Sequence, residues 1–182
     1  MKILIVHGSY DGQTERIAER MAQVIRRGAH EVRVIPAREG ELARDLAGCD
    51  AVVVGGAIRY GHHPAVLQAE VRANRALLGE RPSAFFSVCM SAAGPNAKPA
   101  TASGYIDEFI TRTGWQPGRI ASFAGALQWS RYNPFIKLMM RLIVRMAGGD
   151  TDASQDRDYT DWAAVERFAA EFELPLREPR AA

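Results

Sequence analysis

Apolar residues in this chain follow two periodicities. Unbroken runs, "ILIV" (3–6), "EVRVI" (31–35), "DAVVVGG" (50–56), "SAFFSV" (83–88) and "RIASFAGA" (119–126), predict five strands. Their continuity, in place of strict alternation, is that of strands covered on both faces. Between them the spacing changes to that of helices. Ile17, Met21, Val24 and Ile25 form one stripe, and Leu42 with Leu46 predicts a short helix. Pro64 opens a third helix, with Leu67, Val71 and Leu78 inward. Ile106, Phe109 and Ile110 mark a fourth, stopped by Gly114. Trp162, Val165, Phe168, Ala169 and Phe172 mark the last, with Thr160 or Asp161 as its N-cap.

Five alternating βα units predict an α/β fold, a doubly wound parallel sheet with helices on both faces. For five strands the favoured order is 2-1-3-4-5, and ligands then enter beyond the carboxyl ends of strands 1 and 3. The loops at that edge are 8–14, 56–63 and 89–100, so candidate chemistry is sought there.

Bulk composition removes some function classes. The 182 residues suffice for one domain, and 47% hydrophobic with 24% charged residues is ordinary for a globular chain. Twenty-three basic against 21 acidic residues give a net charge of +2, too small to argue for nucleic acid. Cys49 and Cys89 have no metal-ligand spacing, so neither a disulfide framework nor a zinc site is expected, and a reducing cytoplasm fits. The N-terminal apolar run falls short of the ~7–15 residues of a secretory core. No run reaches the roughly 18–20 of a membrane span.

The first loop, "HGSYDGQTERIAERM", runs from a strand straight into a helix. Backbone N–H groups at a helix start are unpaired and partly positive, so an anion fits there. Ser9 and Thr14 add hydroxyls, and Gly12 permits a tight turn. Both G-x-x-x-x-G-K-[ST] and G-x-G-x-x-G are missing, which disfavours a P-loop NTPase and a dinucleotide site. One reading is a cradle of neutral donors for a terminal phosphate monoester. The other is a plain turn at Asp11-Gly12 with Thr14 as cap. The second loop, "GGAIRYGHHPAV", favours the cradle. The backbone of residues 57–61 can border a flat ring, Tyr60 can stack on it and Arg59 can supply positive charge; alternatively it is an ordinary exposed loop. His62 and His63 are adjacent, do not face one ligand position and have no third ligand near, so no metal is expected.

The Ser9-x-x-Gly12-x-Thr14 loop on strand 1, with the five βα units, resembles the flavodoxin-like family, whose cofactor is FMN. "GAIRYGHH", "GGDTDASQDRDYTDW" and the stretch "YNPFIKLMMRLIVRMAGGDTD" (132–152) look like the bacterial quinone-dependent protoporphyrinogen IX dehydrogenases, flavodoxin-type enzymes of haem synthesis. The likeness spans residues 1 to about 173. It implies that Ser9, Tyr10, Asp11, Gly12, Gln13 and Thr14 hold the FMN phosphate. Ala57, Ile58, Arg59, Tyr60 and Gly61 would border one side of the flavin, and Ser87, Val88, Cys89, Met90 and Ser91 the other. "CMSAAGPNAKPA" departs from a typical flavodoxin in offering no aromatic there, so the ring is expected to be open on that side. The implied activity is oxidation of protoporphyrinogen IX, six electrons in three two-electron steps, passed to a membrane quinone (menaquinone or ubiquinone). The likeness implies a peripheral protein on the cytoplasmic face of the bacterial inner membrane. Arg59, Tyr60 and His62 are the catalytic candidates, and Arg59, Lys98, Lys137 and Arg141 the candidates to pair with propionates. A flavodoxin-type electron carrier, an NAD(P)H:quinone reductase and a cofactor-free membrane module remain as alternatives. The near balance of charge argues against the first, because carriers of this fold tend to be strongly acidic.

The expected domain covers residues 1–175, with a loose tail at 176–182 and an insertion at about 128–158. Pro134 and Gly148 bracket a predicted amphipathic helix at 134–147, with Lys137, Arg141 and Arg145 in one sector and residues such as Phe135 and Met140 covering the rest. Residues 135–146 rise only about 18 Å, too short to cross a bilayer. The helix can lie at an anionic membrane surface or face substrate. It can instead pack on the domain or on the mate of a homo-oligomer.

Overall fold

A computed structural model of the chain describes residues 1–93, 97–127 and 156–176. Five parallel strands, β1 (Lys2–Gly8), β2 (Glu31–Pro36), β3 (Ala51–Ala57), β4 (Ser83–Val88) and β5 (Arg119–Phe123), form one sheet in the order β2-β1-β3-β4-β5. The register pairs Ile5 with Val34 and Val53, and Gly56 with Ser87, so the ends of β1, β3 and β4 reach the carboxyl edge together.

Two apolar layers clamp the sheet. Ile3, Ile5, Val53 and Phe86 face α1 (Gln13–Arg26) and α6 (Trp162–Glu173), meeting Ile17, Met21, Ile25, Val165, Phe168 and Phe172. Leu4, Val6, Val52, Val54 and Phe85 face α2 (Leu42–Leu46), α3 (Ala65–Ala73), α4 (Arg75–Gly79) and α5 (Pro99–Thr113). Phe85 stacks on Phe109 at 4.3 Å between centroids, and Trp115 closes the end of this layer. Burial on both faces is what the unbroken apolar runs encode.

Helix ends follow local chemistry. Gly114 terminates α5 in the left-handed conformation (φ 66). Asp161 caps α6 by accepting from the Ala164 N–H at 2.9 Å. The helix expected after Pro64 breaks at Asn74 into α3 and α4. The Glu70 carboxylate of α3 is buried and accepts from the N–H groups of Gly40 and Leu42, which fixes the start of α2.

The predicted fifth strand, 119–126, is two pieces. β5 ends at Phe123, and after Ala124-Gly125 the chain leaves the main sheet. Ala126–Leu127 (β6) then pairs antiparallel with Arg157–Asp158 (β7), Leu127 opposite Arg157. The chain's departure at 127 and its return at 156 are therefore pinned side by side. The helix expected at 134–147 lies outside the described residues. Leu176, assigned to the tail from sequence, is buried in the α1/α6 layer, so the packed body extends at least that far.

Candidate functional site

The loop after β1 is built by two local interactions. Ser9 Oγ accepts from the Gly12 N–H at 3.0 Å, and Gly12 takes φ 87, the left-handed region in which a side chain is costly. Gly12, not Thr14, is the N-cap of α1; its carbonyl accepts from the Arg16 N–H at 3.0 Å. Thr14 is thus inside the first turn, 1% exposed, and its Oγ1 has no hydrogen-bond partner. A buried hydroxyl left unpaired costs on the order of 1–3 kcal/mol. Together with the N–H groups of the first turn, which have no intrahelical acceptors, it gives the loop several donors and few acceptors. A phosphate monoester, all acceptor, matches that set.

Two of the loop's side chains do other work. Gln13 Nε2 donates to Asp158 Oδ1 (2.9 Å) and to Thr160 Oγ1 (2.8 Å), while its Oε1 accepts from Arg16. The Thr160 hydroxyl donates to the Ala124 carbonyl at 2.9 Å. The amide of Gln13 therefore ties the loop to the β6–β7 junction, and only its backbone faces a ligand at the helix start. Asp11 reaches toward Arg59.

The loop after β3 is a two-residue hairpin. Arg59 and His62 exchange both backbone hydrogen bonds, at 3.0 and 3.2 Å, across Tyr60 (φ 53) and Gly61 (φ 86). Two successive positive φ values are those of a type I′ turn. Tyr60 projects from its tip, 73% exposed. The Ile58 N–H donates to the Val88 carbonyl, fastening the hairpin's base to β4. Arg59 Nη2 bonds Asp11 Oδ1 at 2.7 Å, and its guanidinium lies 4.3 Å from the centre of the Tyr10 ring. The two loops singled out from sequence are thereby joined directly.

The histidines diverge. His62 is exposed and contacts Glu108 at 3.1 Å. His63 is buried, with Nε2 3.0 Å from Ser87 Oγ and its ring against Phe85 and Phe109. Burial pushes its pKa down to about 4, the nearby Glu108 opposing weakly, so His63 is neutral at physiological pH. His7 is also buried; burial lowers its pKa, although Glu15 and Glu19 pull the other way. Among the described residues no three His, Cys, Asp or Glu side chains are grouped to hold a metal ion.

Of the stretch 87–91, Ser87 and Val88 are interior. The Cys89 thiol is buried 3.8 Å from Ser122 Oγ, and burial pushes its pKa up, away from a reactive thiolate. Met90 and Ser91 form a short turn that reaches the surface, and the Ser91 carbonyl accepts from the Lys98 N–H at 2.7 Å. A cavity of about 450 Å³ flanks the first loop on its β2 side, between Ser9, Tyr10, Pro36, Pro64 and Leu67. None of residues 57–61 or 87–91 lines it, so it is distinct from the space between the loops after β3 and β4.

Sequence reasoning missed the His63–Ser87 pair and the Gln13–Asp158–Thr160 network. The latter spans separations of 145 and 147 residues, which leave no local pattern.

The family model for the flavodoxin domain matches residues 4–154. A protein from Escherichia coli strain K12 named protoporphyrinogen IX dehydrogenase [quinone] is 36% identical over 171 residues, 94% of this chain and 94% of that protein. The chain belongs to that flavodoxin-type family of oxidoreductases. A Leishmania major member, of the same name, is 37% identical over 98% of this chain and 78% of its own length. Among solved structures, oxidised flavodoxin 1 from Bacillus cereus aligns with a TM-score of 0.56 at 20% identity, covering 94% of this chain and 97% of that one. A flavodoxin from the domain Archaea aligns at 0.55 with 15% identity, covering 98% of this chain and all of that one. Membership in the flavodoxin family makes FMN the cofactor, and the donor-rich loop with its unpaired Thr14 hydroxyl fits the phosphate end of that group. No described helix is long and apolar enough to cross a membrane.

Proposed function

We propose that this chain oxidises protoporphyrinogen IX to protoporphyrin IX and delivers the electrons to a membrane quinone. The observation that carries this is the 36–37% identity, over nearly the whole chain, to proteins named for that activity. The site chemistry supports it. Protoporphyrinogen loses six electrons and six protons on becoming aromatic, and three quinones become three quinols. Bound FMN supplies the two-electron exchange between donor and acceptor; the protein positions the reactants.

In this reading the first-turn N–H groups, Ser9 and Thr14 hold the phosphate. The Ala57–Gly61 hairpin borders one flank of the ring, and Met90 with Ser91 the other. The absence of an aromatic at 87–91 leaves that flank accessible to a flat macrocycle. Lys98, exposed just before α5, is within the same edge of the sheet and suits a propionate. Tyr60 and His62, both exposed, are the proton-handling candidates. The apolar and basic residues of 134–147, among them Phe135, Lys137, Met140, Arg141 and Arg145, are assigned to a membrane or substrate contact on the cytoplasmic face of the inner membrane. Each basic residue near an anionic leaflet contributes on the order of 1 kcal/mol.

The test is an anaerobic assay of FMN-loaded protein with protoporphyrinogen IX and anionic vesicles carrying menaquinone or ubiquinone. Porphyrin should form beyond one equivalent per three flavins only when quinone is present, with three quinols formed per porphyrin. Flavin-loaded protein that gives no more porphyrin than a protein-free control would refute the assignment.

A further inference from the structure

The loop assigned to the phosphate carries no lysine or arginine, yet it carries a carboxylate, Asp11. Such a group opposes a dianionic phosphate held by the same six residues. The nearest cation within α1, Arg16, is directed elsewhere, to Asp158 at 3.4 Å and to the Gln13 side chain. Among the described residues, Arg59 is directed at Asp11. Its guanidinium is 2.7 Å from Oδ1 and lies over the Tyr10 ring, 4.3 Å from its centre, and its backbone is fixed by the hairpin and by the Ile58–Val88 bond. This arrangement turns Arg59 back onto the phosphate loop.

We propose that Arg59 is a positioning and charge-neutralising residue: paired with Asp11, it cancels the negative charge of the phosphate loop and so sets the affinity for the phosphate end of FMN without itself bonding the phosphate. The claim rests on the FMN reading of the first loop. It gives Arg59 a different role from that of a propionate clamp, and explains why a loop without a resident cation tolerates an acid. Both side chains are about one-third exposed (38% and 31%), so the effect is screened by solvent and falls with ionic strength.

Flavin-fluorescence titrations of the full chain test it, with FMN and with riboflavin, which lacks the phosphate. Wild type first establishes that FMN binds; its failure would refute the cofactor reading itself, before any variant is measured. Arg59→Gln should then weaken FMN by roughly tenfold in low salt, with riboflavin affected much less. Asp11→Asn should bind FMN as tightly as wild type or tighter. The double variant should recover most of the loss, and Arg59→Lys, which keeps the charge, should lie near wild type. The Arg59→Gln penalty should shrink as salt is raised. Three results overturn the proposal: an Arg59→Gln variant that binds FMN normally, a double variant as weak as Arg59→Gln alone, or equal losses for FMN and riboflavin. The second would mean that Arg59 contacts the nucleotide itself or acts through shape.

Discussion

Thr14 and His63 are both buried polar side chains, the first with an unpaired hydroxyl and the second paired within the frame. The unpaired Thr14 hydroxyl destabilises the ligand-free chain and should be recovered on binding. Thr14→Val keeps the shape and removes the hydroxyl. Its flavin-free form should therefore melt at the same or a higher temperature, while FMN affinity falls by about tenfold to a hundredfold, the worth of a hydrogen bond to a charged group. Calorimetry of the apoprotein and a fluorescence titration check both halves. His63 makes a pH prediction. Its folded pKa of about 4 lies below the ordinary 6.5, so between those values the unfolded chain binds the additional proton. Stability is therefore full above about pH 6.5 and falls as pH drops toward 4, by on the order of 3 kcal/mol at most. His7, lowered by burial in the same direction, adds to the slope. Denaturant unfolding at several pH values should show a shallower fall for His63→Gln; an unchanged slope would contradict the assignment. Neither behaviour could be read from sequence. "HH" and "GQT" look alike whether exposed or buried, and the sheet register that puts Ser87 beneath His63 involves a residue 24 positions away.

At the scale of elements, the sequence was most legible where one physical demand dominated. The three central strands, β1, β3 and β4, appeared as continuous apolar runs because helices cover them on both faces, whereas the edge strands β2 and β5 are partly exposed. The order 2-1-3-4-5 followed from five right-handed units. Legibility failed where pairing is short and remote. β6 and β7 are two residues each, too few for any periodicity, and their partnership crosses the whole stretch between 127 and 157. The glycines that end β3 have a packing reason that the motif alone concealed. A Cβ on Gly55 would overlap the Phe86 ring, and one on Gly56 would lie 2.6 Å from His63 Cδ2. Gly55→Ala should destabilise the fold by ~1–3 kcal/mol through overpacking. Adding Phe86→Leu should return part of that loss, as measured by denaturant midpoints of the single and double variants. The strand, glycine turn and helix start of the first loop were legible because their logic is local. The bland alternative of Thr14 as cap does not describe the structure, since Gly12 holds that position.

For the whole molecule, the carboxyl edge of the sheet and the chain on either side of residues 128–156 are linked at one junction. Asp158 and Thr160 bond Gln13, and Leu127 is paired with Arg157, so the chain on either side of residues 128–156 is held together. Replacing residues 128–156 with Asn-Gly, the sequence of a tight hairpin, should give a folded protein that still binds FMN. The same variant should lose attachment to anionic vesicles and quinone-dependent turnover. Retention of both would remove residues 134–147 from the account. The central claim is narrower: protoporphyrinogen reduces the flavin held on the β1–α1 loop. Anaerobic mixing of FMN-loaded protein with protoporphyrinogen IX, with no quinone present, tests it most directly. The account predicts that the flavin's visible band bleaches as porphyrin fluorescence grows, three flavins reduced for each porphyrin formed. A flavin that stays oxidised with protoporphyrinogen, yet bleaches at once with NADPH, would contradict it and identify a reductase instead.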